Sequence, residues 1–109
     1  MAVITDGATA SAAELFTACL KDYNLAVHVG QKTFGKGSAQ TIFSLPSGGA
    51  IKLTTSKYTS ALTENYDKVG LVPDVEVSLS EEALMVNPLR LSEQDDTQLL
   101  AAMAELNKN

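Results

Sequence analysis

The sequence predicts a mixed α/β fold, because strand-like and helical patterns alternate along its first half. Residues 2–5 form an apolar run that is typical of a short buried strand, and residues 25–29 form a second such run that ends at Gly30. Helical spacing lies between the two runs, and two further strand-like runs follow. The order strand, helix, strand, hairpin indicates an α/β arrangement. A chain of 109 residues that is 45% hydrophobic suits one domain or a piece of one.

The first helix is predicted to begin near Ser11 and to stop at Asn24. Ser11 and Glu14 have the spacing of a capping box, in which the serine hydroxyl accepts from the backbone N–H three residues on. Apolar residues recur at helical spacing and form a wide apolar stripe: Ala12, Leu15, Phe16, Cys19, Leu20 and Tyr23.

A hairpin is predicted next, with strands at residues 39–45 and 50–58 and a Pro-Ser-Gly-Gly turn between them. The polar stretch that follows is predicted to be a loop, and a short strand is predicted at 75–77. An acidic helix is expected at about 93–106. Its apolar face would carry Leu99, Leu100 and Met103.

Charge and composition exclude several classes of function. The formal net charge is -5, and no stripe of basic residues is present, so we expect no nucleic acid or anionic membrane as partner. A single Cys19 cannot form an internal disulfide. With one histidine and one cysteine, a metal site built from soft ligands is not expected, and no cofactor is predicted.

Two interpretations of Ser11 are open from its local pattern. In the first, the hydroxyl only caps the helix. In the second, a hydroxyl on a strand-to-helix turn is exposed as a nucleophile, beside N–H groups at the positive end of a helix that could hold an oxyanion. The spacing within this segment does not decide between them.

Lys36 lies between Gly35 and Gly37 and has three interpretations. It could be an ordinary turn residue. It could belong to a phosphate-binding loop, since residues 30–36 nearly match that motif, but Gly37 replaces the required Ser or Thr and a strand follows where a helix is needed. It could also be a catalytic base. His28, with apolar neighbours in a strand, is predicted to be structural, and we do not pair it with Ser11.

Several motifs, taken together, resemble a known family. The segments are DGATASAAE at residues 6–14, GQKTFGKGSAQ at 30–40 and GLVPD at 70–74, in that order. Over residues 2–80 they are similar to the carboxyl-terminal processing (tail-specific) serine peptidases. The resemblance implies a crotonase-like (ClpP/crotonase) α/β fold, of which this chain would be the C-terminal part. We accordingly predict a catalytic core segment at 1–80 and an acidic C-terminal extension at 81–109.

The resemblance also implies roles for individual residues. It identifies Ser11 as the nucleophile, Lys36 as its base and Gln40 as the residue that supports the lysine. The N–H of Ala12 would be one oxyanion-hole donor. An aspartate that matters in some members corresponds to Asp22, which lies about 16 Å from Ser11 along a helix and so could act only indirectly.

The physical chemistry of a lysine base is compatible with this assignment. A lysine accepts a proton only when neutral, and its ordinary pKa is about 10.4, so the site must desolvate it or keep acids away. Residues 27–43 contain no acid. The carbonyl of Gln40 could orient the amine without a full negative charge, which a glutamate would add.

The implied function is a serine endopeptidase that cleaves proteins near apolar C-termini. Members of the family carry an upstream PDZ domain and an upstream part of the catalytic fold, so the isolated 109 residues are expected to be inactive. The alternative is a catalytically inactive binding or scaffold module of the same fold. By resemblance, the protein would act outside the cytoplasm, in the periplasm or at the surface of a bacterium.

Self-association is a further expectation. A chain that begins within a strand is expected to expose sheet edges, which favour pairing with another copy. The apolar residues predicted at that surface are Val3, Ile4, Val27 and Val29. We therefore predict a homodimer or higher homo-oligomer.

Overall fold

The computed structural model describes residues 1–108, which form a mixed α/β fold of two sheets and three α-helices. The predicted strand at residues 2–5 and the predicted hairpin are both present, within one residue of the expected bounds. In chain order the elements are β1 (Ala2–Thr5), α1 (Ala12–Asp22), β2 (Val27–Gly30), β3 (Ser38–Leu45), β4 (Gly49–Lys57), β5 (Val75–Glu76), α2 (Glu81–Leu84), a 3-10 helix (Pro88–Arg90) and α3 (Thr97–Leu106).

The larger sheet is parallel and places two loops at one edge. Its strand order is β1-β2-β5, and α1 connects β1 to β2. Thr5, the last residue of β1, pairs with Gly30, the last residue of β2. The turn after β1 and the loop after β2 therefore leave the sheet at the same edge, where parallel α/β sheets usually bind ligands.

The buried face of α1 includes only Leu20 of the predicted apolar stripe. Thr17 and Ala18 are buried together with Glu14, whereas Phe16 is 59% exposed and Tyr23 is 62% exposed. Small side chains let the helix lie close to its neighbours, and the buried glutamate has hydrogen-bond partners on the loop after β2. Tertiary hydrogen bonding thus decides which face is buried.

The β3–β4 hairpin projects from the rest of the chain. Nearly every residue of both strands is exposed, and one face carries a row of apolar side chains: Phe43, Leu45, Ile51 and Leu53. The radius of gyration is 17.2 Å, compared with about 13 Å for a compact domain of this length.

The C-terminal helix begins later than predicted and packs through a different face. Asp96 caps it by accepting from the N–H of Leu99 at 2.9 Å, so α3 begins at Thr97 and not near residue 93. Its buried residues are Gln98 and Ala102, while Leu100 and Met103 are 45% and 46% exposed. α3 packs against β1 and β2.

The division of the chain at residue 80 stays a prediction. No helix within residues 1–108 is long and apolar enough to cross a bilayer.

The predicted apolar surface is partly wrong. β2 is the central strand of its sheet, so its edges are paired, and Val29 is fully buried. Val27 and Val3 are half-buried, and of the four residues only Ile4 is exposed, at 40%. Homo-oligomerisation itself stays a prediction, which sedimentation at micromolar concentration would check.

Candidate active site

Ser11 lies at the N-terminus of α1 in a strained backbone conformation. Its φ is 60° and its ψ is -121°, a region that residues with a side chain seldom occupy. The preceding turn is fixed by Asp6, whose carboxylate accepts from the N–H groups of Ala8 and Thr9 and from the Thr9 hydroxyl. Such strain tends to occur at functional sites, and it supports Ser11 as a candidate nucleophile.

Glu14 joins the Ser11 turn to the Lys36 loop. Its Oε2 accepts from the N–H of Ser11 at 2.9 Å and from the N–H of Lys36 at 2.7 Å. Its Oε1 accepts from the N–H of Gly35 at 2.7 Å and from the hydroxyl of Thr33. The part of the predicted capping box in which Glu14 binds the Ser11 N–H is thus present, but the same carboxylate also binds residues about twenty positions downstream.

The ionised form of Glu14 is favoured in the folded chain. Burial by itself would raise the pKa of the carboxyl, but the hydrogen bonds from Thr33, Lys36, Gly35 and Ser11 outweigh burial and leave the pKa below its ordinary value. Glu14 was predicted only as a cap. Residues 27–43 contain no acid, as stated above, but the carboxylate of Glu14 reaches the lysine loop from α1, where four hydrogen-bond donors surround it.

The glycines beside Lys36 allow the loop to pass close to other backbone, as the sequence suggests. Gly35 has a φ of +90°, and a Cβ there would lie 2.7 Å from the N atom of Gly70. Thr33 fixes the same contact, because its hydroxyl accepts from the N–H of Leu71 at 2.7 Å. β3 begins at Ser38, where a phosphate-binding loop would require a helix, so the structure does not fit the nucleotide-binding interpretation.

Tyr58 connects the same two segments from the other side, and sequence reasoning missed it. Its Oη lies 2.7 Å from the carbonyl oxygen of Lys36 and 3.1 Å from Oγ of Ser11. Tyr58 directly follows β4, so the base of the hairpin reaches the site. No sequence motif marked it, since a tyrosine at a strand end is common.

The remaining predicted residues lie on three segments: Lys36 in the loop after β2, Ala12 in α1 and Gln40 in β3. Lys36 is half-buried, and Ala12 is the first residue of α1, where N–H groups have no partner in a preceding turn. Gln40 is exposed on β3, opposite Thr54 and beside a β-bulge. Within residues 1–108 no hydrogen bond joins the Lys36 side chain to Ser11 or Gln40. The structure brings the backbone of Lys36 to Ser11, and the role of Gln40 stays a prediction.

Asp22 binds a loop and does not contact Ser11. Its carboxylate accepts from the N–H of Leu62 at 2.8 Å and from the hydroxyl of Thr63 at 2.5 Å. The nearby hydroxyls of Ser60 and Thr63 hold the pKa of Asp22 well below its usual range, although Ser60 Oγ makes no hydrogen bond to the carboxylate. Asp22 thus ties the end of α1 to this loop, and a supporting role of Asp22 in catalysis stays a prediction.

His28 is buried in β2 and has a structural role, as predicted. The Thr5 hydroxyl donates to the carbonyl of Gln31 at 2.8 Å, so His28 Nε2, 2.7 Å away, is the donor to Thr5 Oγ1. Burial lowers the pKa of His28 to about 4 and keeps the ring neutral. No cluster of three or more potential metal ligands occurs in the part of the chain that the structure describes.

Comparison with known proteins places this chain in a family. The sequence profile of peptidase family S41 matches residues 1–77. A carboxyl-terminal-processing protease of Picosynechococcus sp. is 42% identical over 74 residues, which are 68% of this chain and 18% of that protein. A protein of the same description from Synechocystis sp. is 36% identical over 102 residues, covering 92% of this chain and 24% of the relative.

Solved structures agree with the sequence matches. The photosystem II D1 C-terminal processing protease superposes with a TM-score of 0.68 at 34% identity, over 71% of this chain and 20% of its own. A Bacteroides fragilis structure attributed to the S41 proteases gives 0.70 at 26% identity, over 96% and 27%. The chain thus spans about a quarter or less of the length of these relatives. Its sequence and its α/β fold show that it belongs to peptidase family S41.

Proposed function

We propose that this chain carries the nucleophile and the general base of a serine endopeptidase. Ser11 attacks the scissile carbonyl, Lys36 accepts the hydroxyl proton, and the N–H of Ala12 donates to the oxyanion. Gln40 orients the Lys36 amine. This last role requires the exposed Gln40 side chain to turn toward Lys36.

One observation carries the proposal: a single buried carboxylate, Glu14, binds the N–H groups of both Ser11 and Lys36. Hydrogen bonds to an ionised acceptor are the stronger kind, so the two segments are held at a defined separation. Positioning of reacting groups is what such a device supplies to catalysis. The strained φ of Ser11 adds support, because strain that persists at one serine is most readily explained by function.

The names of the relatives support a proposal for the substrates and the cellular setting of the complete protein. Those relatives are named carboxyl-terminal-processing proteases, so we propose protein substrates cleaved near apolar C-termini. We also propose that the α/β fold is crotonase-like and that the protein acts outside the cytoplasm. Three of the relatives are C-terminal processing peptidases named as chloroplastic, so this activity is also assigned to an organelle.

A serine-directed fluorophosphonate probe tests the proposal. In the complete protein, the probe should modify Ser11, and peptide mass spectrometry should locate the adduct there. Ser11→Ala should remove the labelling, while Ser47→Ala, in the hairpin turn, should not. The isolated 109 residues should react at least about 100-fold more slowly, because one oxyanion donor is expected from an upstream segment. An intact, folded protein that stays unlabelled would instead favour the inactive binding module.

Gln40→Ala is expected to lower kcat about tenfold and to leave measurable activity, because the base remains and only its orientation is lost. Gln40→Glu should reduce activity further, since a carboxylate favours the protonated lysine. Thr54→Ala, which alters the cross-strand partner of Gln40, is the matched control. Steady-state cleavage of a peptide substrate measures all three, and wild-type kcat in Gln40→Ala would remove Gln40 from the mechanism.

A further inference from the structure

Tyr58 is held in place through both its backbone and its ring. Its N–H donates to the carbonyl of Gly37 at 3.0 Å, and its own carbonyl accepts from Asn65 Nδ2 at 2.9 Å. The same Asn65 amide also donates to Gly37, at 3.1 Å. The Tyr58 ring packs edge-on against Tyr66, with centroids 6.3 Å apart. The position of Tyr58 Oη is therefore fixed relative to the Lys36 loop.

The hydrogen bonds of Tyr58 determine the direction of the contact with Ser11. A tyrosine hydroxyl has one proton, and a carbonyl oxygen can only accept. The proton of Tyr58 Oη is thus used in the 2.7 Å bond to the Lys36 carbonyl. In the 3.1 Å contact, Ser11 Oγ must then be the donor and Tyr58 Oη the acceptor.

We propose that Tyr58 is a positioning residue for the nucleophile. By accepting a hydrogen bond from Ser11 while donating one to the Lys36 carbonyl, the Tyr58 hydroxyl holds the serine in one rotamer and ties that rotamer to the segment bearing the base. Ser11 Oγ then needs only to redirect its proton, without a search among three rotamers, when Lys36 accepts it. This inference rests on the proposed function for its catalytic consequence.

Tyr58→Phe and Tyr66→Phe form a matched pair for testing this role. Both remove one hydroxyl from adjacent rings. Tyr66 Oη is buried and has no hydrogen-bond partner within residues 1–108, so its loss leaves the two segments untouched. A purely packing role for Tyr58 would make the two variants behave alike.

The first measurement is the rate of fluorophosphonate labelling of Ser11 in the complete protein, as a function of probe concentration. Tyr58→Phe should lower the maximal labelling rate about tenfold at unchanged half-saturating concentration. Tyr66→Phe should stay within about twofold of wild type. Unchanged or faster labelling in Tyr58→Phe, or a change in half-saturation alone, would overturn the proposal.

The second measurement does not depend on activity. Three-bond couplings of Ser11 in the 109-residue chain should report one χ1 rotamer in wild type and in Tyr66→Phe, and averaging in Tyr58→Phe. Averaged couplings in wild type would refute the hold on Ser11 even if Tyr58→Phe failed to fold. If wild-type Ser11 is never labelled, the proposed function fails and with it the catalytic consequence, whereas a Tyr58-dependent rotamer would still establish the contact.

Discussion

Lys36→Ala is expected to reduce proteolysis by at least about 10⁴-fold while the fold is retained. The loss is large because the hydroxyl of Ser11 is a weak nucleophile unless a base removes its proton. The fold is retained because the structural hydrogen bonds of Lys36 come from its backbone. Its N–H binds Glu14 and its carbonyl binds Tyr58, and alanine keeps both groups.

A second substitution distinguishes a base from a mere positive charge. Lys36→Arg keeps the charge, but a guanidinium does not deprotonate in proteins, so this variant should be as inactive as Lys36→Ala. Lys32→Ala, at an exposed lysine in the same loop, is the control and should keep nearly full activity. Peptide cleavage measured with circular dichroism of each variant decides the matter. Activity within tenfold of wild type in either Lys36 variant would contradict the assignment.

Local pattern was sufficient to predict the strands and the hairpin. The run at residues 2–5 gives β1 with the predicted bounds, and the Pro-Ser-Gly-Gly turn sets the hairpin to within one residue. These elements follow from signals that lie within a few residues of each other, namely apolar runs and turn chemistry. The position of Ser11 also agrees with the sequence, which predicts a strand, a short turn and then a helix that begins near Ser11.

Contacts between distant segments could not be predicted in the same way. Glu14 has the spacing of a cap, yet three of its four donors come from residues 33–36. A usable signal was present: Thr17 and Ala18 lie three and four residues on, and small residues on that face indicate close approach to a neighbour. The apolar stripe predicted the burial of Leu20 but not the exposure of Phe16 and Tyr23, because an apolar pattern does not specify which residues contact the rest of the chain.

Glu14→Gln is expected to destabilise the chain by about 3 kcal/mol at neutral pH. Each carboxylate oxygen accepts two hydrogen bonds, from Ser11 and Lys36 on one side and from Thr33 and Gly35 on the other. In either orientation, the amide nitrogen of a glutamine would face two donors, and no water reaches this fully buried side chain. Urea unfolding of the 109-residue chain measures the change in the free energy of unfolding.

The pH dependence of this difference identifies its cause. The folded chain lowers the pKa of Glu14 from 4.5, so the ionised carboxylate contributes stability that is fully present above about pH 4.5. That contribution is lost as the pH falls through the lower, folded-state pKa. The difference in the free energy of unfolding between wild type and Glu14→Gln should therefore become smaller in that pH range. Glu64→Gln removes a charge of the same kind from an exposed loop residue and should change stability by less than about 0.5 kcal/mol. If Glu14→Gln matches this control at pH 7, the carboxylate does not hold the Ser11 and Lys36 segments together, because the glutamine loses two of the four hydrogen bonds and the charge that strengthens the other two.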